Sequence, residues 1–377
     1  MLVLTGCAQQ SGSGGDGPVT LMVIESQTGV AGQDQTLPLG AKAAASSVNA
    51  HGGIGGRDIK IITCDTASDP NKAAECARKA VSQKVSAVVG SFDPIGISTS
   101  LPVLQAAKVP YLAPLATMPV EFSSPVSFPV TGGSPSGSFG MVSAAVDAKC
   151  KKVGTFGDAA ADSGQTKALI ASFKKAGLDA FSVNLPSSTS DPTPQVSQLL
   201  DKKPDCVAYA ASGQTAVQVF SAIRRTGSDA QFISASATLL PPYLKALGSA
   251  AQGVIATSDT PPPASAELWS FGRDMEKYQP ETPLSPFPLQ GWYGVKAFVE
   301  VTENLDDLSA ASVLDRLGTV DALRLPGLKM VDFGTTSDSK LYPRSFHPYV
   351  QYLQVEDGAY VPMDSNSHWH NVAKYLP

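Results

Sequence analysis

Short apolar runs rich in β-branched residues alternate along this chain with longer segments whose apolar residues recur at helical spacing. This alternation predicts βαβ units, in which parallel strands are joined by helices that cross right-handedly over the sheet. The first predicted strands are 19–26, 58–66, 86–92 and 109–114, and the predicted helices between them are 37–50, 71–83 and 98–107.

The pattern starts again near residue 151, so we expect two similar lobes rather than one long sheet. The second series of predicted strands is 151–158, 180–186, 205–212, 231–237 and 251–258. Near the end, 349–362 predicts a hairpin that turns at Glu356–Gly358. The predicted fold class is therefore α/β, with two doubly wound parallel-sheet lobes.

Composition narrows the functional classes. The chain has 377 residues, which favours two or three domains at roughly 100–200 residues each. Its net charge is −5 and it has no long basic run, which argues against nucleic-acid binding. Its apolar runs fall short of the ~20 residues that span a bilayer.

The first residues resemble a lipoprotein processing site. Leu4–Cys7 reads LTGC, a lipobox pattern in which the cysteine is lipidated and becomes the mature N-terminus, and a serine- and glycine-rich tether follows. Only six residues precede Cys7, fewer than the ~7–15 of a signal-peptide core alone. We therefore expect the true start to lie upstream, residues 1–17 to be a signal remnant and tether, and Cys7 to carry the lipid.

Four cysteines remain, and export to an oxidising compartment predicts that they form two disulfides. Three pairings are possible. Cys64–Cys76 would join a strand end to the following helix, and Cys150–Cys206 would join the starts of two strands that the topology makes neighbours. We predict no zinc site, because neither close cysteine spacing nor a nearby histidine supports one.

The glycines of Gly52–Gly56 do not form a phosphate-binding loop. A dinucleotide fingerprint needs a third glycine where this chain has Asp58, and it lies between a strand and a helix. Here the glycines follow a helix and precede a strand. We predict instead that Gly52 and Gly53 end the helix and that Gly55 and Gly56 turn the chain into the strand.

This corner also carries a family resemblance. The pattern N-x-x-G-G-I-x-G-R-x-I from Asn49 to Ile59, followed by D-T-x-x-D-P from Asp65 to Pro70, resembles the type I solute-binding proteins of the branched-chain amino acid import family. Further segments agree in order and spacing, and the resemblance extends from about Val19 to Pro362. It implies two lobes joined by three crossover strands, with the ligand enclosed between them. The implied lobes are 18–131 plus 259–333 and 132–258 plus 334–377.

General physics places the ligand site independently of the resemblance. In open parallel sheets, ligands bind beyond the carboxyl ends of the strands, where helix N-termini offer free N–H groups. The side chains just after the predicted strands are therefore the candidates. The predicted ligand-binding residues are Gln27, Ser91, Phe92, Asp93, Leu115, Thr117, Asp162, Ser163, Ser212 and Ser236.

The resemblance implies specific roles for some of these positions, and the chain departs at others. Thr117 matches a hydroxyl that holds a ligand carboxylate in the family. Pro94 replaces a common serine, and Ser236 stands where an acid that pairs with the ligand amine is expected. Either another acid, such as Asp93, Asp158 or Asp162, supplies the charge, or the ligand lacks an amine. Phe92 suits a flat or apolar ligand.

We hypothesise an extracytoplasmic, lipid-anchored, monomeric solute-binding protein that delivers an amino acid, or a related small amide or aromatic acid, to the permease of an ABC importer. The alternative is a ligand-sensing module coupled to a signalling partner. An enzyme is not expected, because the chain lacks both the G-x-S-x-G and the H-E-x-x-H pattern. We predict no cofactor and no metal.

Overall fold

A computed structural model of the protein describes residues 17–29, 34–157, 164–186, 189–209, 213–363 and 368–377. The strands are β1 (Val19–Glu25), β2 (Ile59–Asp65), β3 (Ala87–Val89), β4 (Tyr111–Leu112), β5 (Ser127–Phe128), β6 (Lys152–Gly157), β7 (Asp179–Asn184), β8 (Cys206–Tyr209), β9 (Gln231–Ala235), β10 (Ile255–Ser258), β11 (Tyr349–Glu356), β12 (Ala359–Pro362) and β13 (Trp369–Asn371). The helices are α1 (Leu37–Asn49), α2 (Pro70–Ser82), α3 (Ile97–Ala106), α4 (Gly133–Asp147), α5 (Gly164–Lys175), α6 (Thr193–Leu200), α7 (Gly213–Arg225), α8 (Pro241–Leu247), α9 (Trp269–Tyr278), α10 (Pro286–Thr302) and α11 (Ala310–Leu317).

Lobe one is built on a five-stranded parallel sheet with the order β2-β1-β3-β4-β5. Helices α1 and α10 pack on one face, and α2 and α3 pack on the other. Since helices cover both faces, β1 is apolar and buried along nearly its whole length rather than alternating. The edge strand β2 includes the exposed Lys60, whereas the interior strand β1 carries its one acid, Glu25, at its end.

Lobe two is built on an eight-stranded sheet with the order β12-β11-β10-β9-β8-β6-β7, and β13 pairs with β11. Strands β6 to β10 run parallel to one another. The predicted hairpin forms β11 and β12, which are antiparallel and extend the sheet beyond β10. With both sheets present, the predicted α/β fold with two parallel-sheet lobes is confirmed.

The chain passes between the two sheets three times, between β5 and α4, between β10 and α9, and between α11 and β11. The first two passages are tied together, because Gly133 donates its N–H to Asp259 Oδ2 at 2.7 Å. In the third passage, Arg344 Nε donates to the Ser127 carbonyl at 3.0 Å. We propose that the lobe boundaries at 131/132, 258/259 and 333/334 fall in these passages.

The glycine corner and the helix after it form as the sequence predicts. Gly52, Gly53, Gly55 and Gly56 all have positive φ, from 56° to 99°. A Cβ on Gly53 would lie 2.1 Å from the Arg57 carbonyl oxygen, so this position tolerates only glycine. The α2 helix then starts with an Asp69 cap that accepts from two backbone N–H groups, followed by a proline.

Helix α4 does not appear in the sequence pattern, although it spans 15 residues. Its first half is GSPSGSF, which has weak helix propensity and no polar stripe. The helix is buried on nearly every side, because it packs against β9, β10 and β11 and also contacts α5. Its small residues permit these close approaches. A helix that is buried on all sides has no alternation of apolar and polar faces, so its sequence lacks the helical spacing of apolar residues that predicts a surface helix.

Both disulfides form the pairings described above. Cys64 bonds to Cys76 with a Cα–Cα distance of 5.6 Å, and Cys150 bonds to Cys206 with a Cα–Cα distance of 5.9 Å. Asp205 lies close to the second pair, but the two sulfurs are bonded to each other and so are not free thiolate ligands. Among the described residues, no helix is both long and apolar enough to span a bilayer.

Candidate ligand-binding site

The loop after β1 is fastened to the neighbouring strand β2 by Asp65. Asp65 Oδ1 accepts from the backbone N–H groups of Gln27, Thr28 and Ala67 at 2.9, 3.2 and 2.8 Å, and Oδ2 accepts from the Thr28 hydroxyl at 2.6 Å. Burial alone would raise the pKa of Asp65, but these hydrogen bonds outweigh burial and lower it. Predicted residue Gln27 is therefore held half-buried at the edge of lobe one.

Two predicted residues after β3 are buried inside lobe one. Ser91 is 0% exposed; its hydroxyl accepts from Ile24 N–H at 3.0 Å and lies 3.3 Å from the Val89 carbonyl. Asp93 is 3% exposed, and its Oδ1 accepts from Gly96 N–H at 3.0 Å in the turn before α3. Burial raises the pKa of the Asp93 carboxyl, partly offset by that bond. Both side chains therefore hold the loop after β3 from inside the lobe.

Phe92 lies between these two residues and is half-buried. Its ring makes an edge contact with Phe287 near the start of α10, with ring centres 5.5 Å apart and planes at 85°. The next residue, Pro94, is also half-buried. The tip of β3 thus offers an aromatic ring and a proline where a hydroxyl was expected from the family resemblance, which favours an apolar rather than a polar contact.

The loop after β4 carries Leu115 and Thr117, both half-buried, and Glu121 holds it in place. Glu121 Oε2 accepts from the N–H groups of Thr117 and Met118 at 2.8 and 2.9 Å. The side chain is 2% exposed, and burial raises its pKa to about 7, with those bonds acting in the opposite direction. The Thr117 hydroxyl is therefore attached to a loop whose backbone is fixed from inside the lobe.

Glu25, the last residue of β1, was not among the predicted site residues. Glu25 is 1% exposed, and neither carboxyl oxygen has a hydrogen-bond partner among the described residues. Burial raises its pKa to about 8; the Gln27 side chain lowers it somewhat without reaching hydrogen-bond geometry, and the charges of Asp34 and Asp65 raise it further. The only signal in the sequence was an acid that ends the apolar run VTLMVIE.

In lobe two, the predicted residues Asp162, Ser163 and Ser212 lie outside the described residues, as does the predicted lipid attachment residue Cys7. Ser236 follows β9, is half-buried and begins a short 3₁₀ turn. The Tyr360 hydroxyl supports this turn, because it lies 3.3 Å from the Ser236 carbonyl and 3.0 Å from the Leu239 carbonyl. Ser236 is thus the one predicted lobe-two residue that the described part of the chain contains.

A cavity of about 250 Å³, which we name the inter-lobe chamber, lies beside Ser236. Its lining comes from four segments: 236–244, 258–264, 284–286 and 353–360. The first and last belong to lobe two, the second runs along a passage between the lobes, and the third leads into α10 of lobe one. A small molecule in the chamber would therefore contact both lobes.

A larger open groove of about 1140 Å³ lies elsewhere on lobe two, between α5 and the end of the chain. Lys175, Lys340 and Lys374 are among its lining residues. None of the predicted ligand-binding residues that the structure describes lines it. Since ligands of open parallel sheets bind at the strand tips, we do not assign the ligand site to this groove.

Comparison with known proteins identifies the fold and the family. A fatty acid ABC transporter substrate-binding protein from Thermomonospora curvata is 17% identical, with 96% of each chain covered and a TM-score of 0.80. A leucine-binding protein from Thermotoga maritima is 18% identical over 92% of this chain and 98% of its own, with a TM-score of 0.74. No curated protein matches this chain.

A branched-chain amino acid transporter substrate-binding protein from Streptococcus pneumoniae, solved with isoleucine, is 18% identical over 91% of this chain and 97% of its own, with a TM-score of 0.73. At identities of 17% and 18%, these similarities show a shared fold and nothing further. The profile of the periplasmic binding protein family matches residues 18–340, which is most of the chain. This protein therefore belongs to the periplasmic binding protein family and has the type I fold.

Proposed function

We propose that this protein is the extracytoplasmic solute-binding component of an ABC importer and that it captures a small ligand without turning it over. The main support is the inter-lobe chamber, because residues of both lobes line it beside a strand tip. The structural relatives named as ABC transporter substrate-binding proteins point the same way. The ligand classes are an amino acid or a related small amide or aromatic acid.

The proposed mechanism is closure of the two lobes. A ligand that contacts both lobes only in the closed arrangement shifts the population towards it. The three passages between the sheets are the hinge. The proposed ligand contacts are the half-buried residues Gln27, Phe92, Leu115, Thr117 and Ser236. Ser91 and Asp93, which are buried, are proposed to hold the loop after β3 in place. The partner would be a membrane permease that recognises the closed form.

We further propose that Cys7 anchors a monomeric protein to the membrane through lipid. Asp162, Ser163 and Ser212 remain further proposed ligand contacts. Lipid attachment is tested by mass spectrometry of the protein from cells, in which Cys7→Ser should remove the lipid mass and release the protein from the membrane fraction.

The capture mechanism is tested in two steps. A thermal-shift screen over amino acids, amides and aromatic acids should find a stabilising ligand, since a ligand at 100 times its Kd adds ~2.7 kcal/mol. Small-angle scattering with that ligand should then show a smaller radius of gyration. An unchanged radius would count against closure, and a screen without a stabilising compound would count against these ligand classes.

A matched pair of variants tests the proposed contact at Thr117. Thr117→Val removes the hydroxyl and should weaken the ligand about 2- to 10-fold, the value of one hydrogen bond. Thr319→Val alters an exposed threonine that follows α11, away from the strand tips, and should leave the Kd unchanged. Equal affinities in the two variants would remove Thr117 from the site.

A further inference from the structure

The inter-lobe chamber has an unusual lining for a site that is expected to hold an amino acid. Among the described residues that line it, none has a charged side chain. Leu244 and Leu353 are buried in its wall, and Leu240 is half-buried. A bare ammonium or carboxylate placed among these groups would lose hydration without gaining an ion pair, which costs several kcal/mol. The chamber therefore disfavours the charged end of any ligand.

The backbone of the chamber is also poor in hydrogen-bond donors. Five prolines line it: three consecutive ones at Pro261–Pro263, together with Pro241 and Pro286. Proline has no N–H, so these wall segments lack the donors that bind carboxylates elsewhere in such clefts. Proline also fixes φ, which means that the wall is largely preformed and loses little freedom when a guest enters.

The hydroxyl groups in the lining carry no charge and leave the chamber unsuited to an ion. Tyr360 is half-buried, and its hydroxyl is within hydrogen-bond distance of two backbone carbonyls, Ser236 and Leu239. Ser258 and Thr260 are buried in the wall, at the start of a passage between the lobes. Ser236 lies in the first turn after β9 and is the one predicted ligand contact among the described lining residues; Ser285, which is also half-buried, lies directly before α10. A polar group of the ligand is therefore best accommodated near Ser236.

The mouth of the chamber is apolar as well. Leu284, which belongs to the segment leading into α10, is 38% exposed, and Ala264 and Ala359 are exposed beside the cavity. Leu284 therefore adds apolar surface at the rim of the cavity. A guest that covers Leu284 of lobe one while it contacts Leu353 of lobe two would join the lobes.

We propose that the inter-lobe chamber binds the aliphatic chain of a small monocarboxylic acid, with the carboxylate directed out towards the strand tips near Ser236. This proposal rests on the proposed function, because it names the ligand class for the same capture step. At about 250 Å³, the chamber is below the usual ~300–1,000 Å³ of ligand pockets, so it suits a short chain rather than a large lipid. The missing acid at Ser236 follows from such a ligand, since it has no amine.

A chain-length series is the test. The full-length protein is titrated by calorimetry with the straight-chain acids from butanoate to decanoate, and with leucine and isoleucine for comparison. Each methylene that enters the chamber contributes ~0.8 kcal/mol, so Kd should fall about fourfold for each added carbon until the chamber is full, and then level off. The heat-capacity change should become more negative along the same series.

Two tryptophan variants locate the effect. Ala264→Trp places a large ring at the chamber mouth and should weaken the best acid at least tenfold and shorten the preferred chain. Ala266→Trp makes the same change at an exposed alanine two residues further on, outside the lining, and should bind like the unaltered protein. Equal melting temperatures of the two variants without ligand show that both are folded.

The outcomes separate this proposal from the proposed function. If the acids do not bind, if their Kd does not depend on chain length, or if Ala264→Trp binds like Ala266→Trp, the chamber is not the site of an aliphatic chain. If leucine or isoleucine then binds and reduces the radius of gyration, the proposed function stands without this ligand class. If neither the acids nor any compound of the screen binds, both proposals fall.

Discussion

The strand tips of lobe one and lobe two differ in how they are built. In lobe one, the acids Asp65, Asp93 and Glu121 hold the loops after the strands through backbone N–H groups. In lobe two, the described strand tip at Ser236 is followed by Leu240, Pro241 and Leu244 in the chamber wall and is supported by the Tyr360 hydroxyl. One lobe therefore offers a polar, internally braced edge, and the other offers an uncharged wall.

This difference shows that an acid near a binding cleft is not necessarily a ligand contact. Asp65 makes four hydrogen bonds to its own lobe, and Glu121 accepts from two N–H groups, so most of their capacity is used. Glu25 is the exception, since it is buried without a hydrogen-bond partner among the described residues.

The largest effect is expected from the disulfides. Replacing Cys150 and Cys206 by alanine should lower the free energy of unfolding by ~4 kcal/mol, and replacing Cys64 and Cys76 should lower it by ~3 kcal/mol, because the bridges span 56 and 12 residues. Urea denaturation measures both. Cys64 is next to Asp65 at the carboxyl end of β2, so its loss should also weaken ligand binding. The lobe-two pair lies at the amino-terminal ends of β6 and β8, away from the strand tips, so its loss should leave binding unchanged.

Two results would contradict the predicted difference between the two disulfides. If the lobe-two variant loses ligand affinity while the lobe-one variant keeps it, the assignment of the polar edge to the ligand site is wrong. If the order of the two stability losses is reversed, the native bonds contribute through something other than the length of the loop that each one closes.

The second prediction concerns the unpartnered acid of lobe one. Glu25 has a raised pKa of about 8 in the folded protein, so the folded state holds its proton more tightly than the unfolded chain does. Its contribution to stability is therefore fully present below pH ~4.5 and is lost as pH rises towards 8. Glu25→Gln should remove this dependence and raise the free energy of unfolding at pH 7 by ~3 kcal/mol.

Urea denaturation at several pH values between 4 and 9 measures the difference between the variant and the unaltered protein. Glu75→Gln is the control, because Glu75 is exposed on α2 and should leave the pH dependence as it is. A difference that stays constant across this range would show that folding does not change the pKa of Glu25, and it would contradict this prediction.

The third prediction concerns the brace under Thr117. Glu121→Ala leaves the N–H groups of Thr117 and Met118 without their acceptor and should lower the free energy of unfolding by ~2 kcal/mol. It should also weaken the ligand by loosening the loop. Glu121→Gln retains one acceptor oxygen and should lose less stability. Identical losses in the two variants would show that the loop depends on the carboxylate itself and that one amide oxygen in a side chain of the same size cannot replace it.

The smallest effect is expected from the corresponding brace in lobe two. Tyr360→Phe removes a hydroxyl that reaches the carbonyls of Ser236 and Leu239, and should cost ~1 kcal/mol, the value of a neutral hydrogen bond. The apolar wall remains, so binding of an aliphatic acid should change less than twofold. A loss larger than that of Glu121→Ala, measured in the same urea series, would reverse the contrast between the two lobes.

The regular parts of the fold were predictable because local physics decides them. The βα alternation predicted both sheets, the glycines around Ile54 predicted the corner, and Asp69 with Pro70 predicted the start of α2. Helix α4 was not predictable in this way. Its residues are small and surrounded by protein, so its existence depends on the strands that pack against it rather than on its own pattern.

The candidate site was predictable only to the level of strand tips. Sequence order identifies the residues that follow each strand, but not the direction of their side chains. Ser91 faces inward because β1 pairs with β3, which brings Ile24 N–H to its hydroxyl. Asp65 braces the Gln27 loop because β2 lies beside β1 in the sheet. These roles depend on the order of strands in space.

The sequence by itself determined two α/β lobes, the turns and caps between their elements, the family resemblance and the edge at which a ligand should bind, because each of these follows from short-range patterns. Only the tertiary structure decided that Glu25 is buried without a partner among the described residues, and that Leu284, Pro261 and Leu353 line one chamber whose described side chains are uncharged. These residues are far apart in the chain, and burial depends on what long-range packing places around a group.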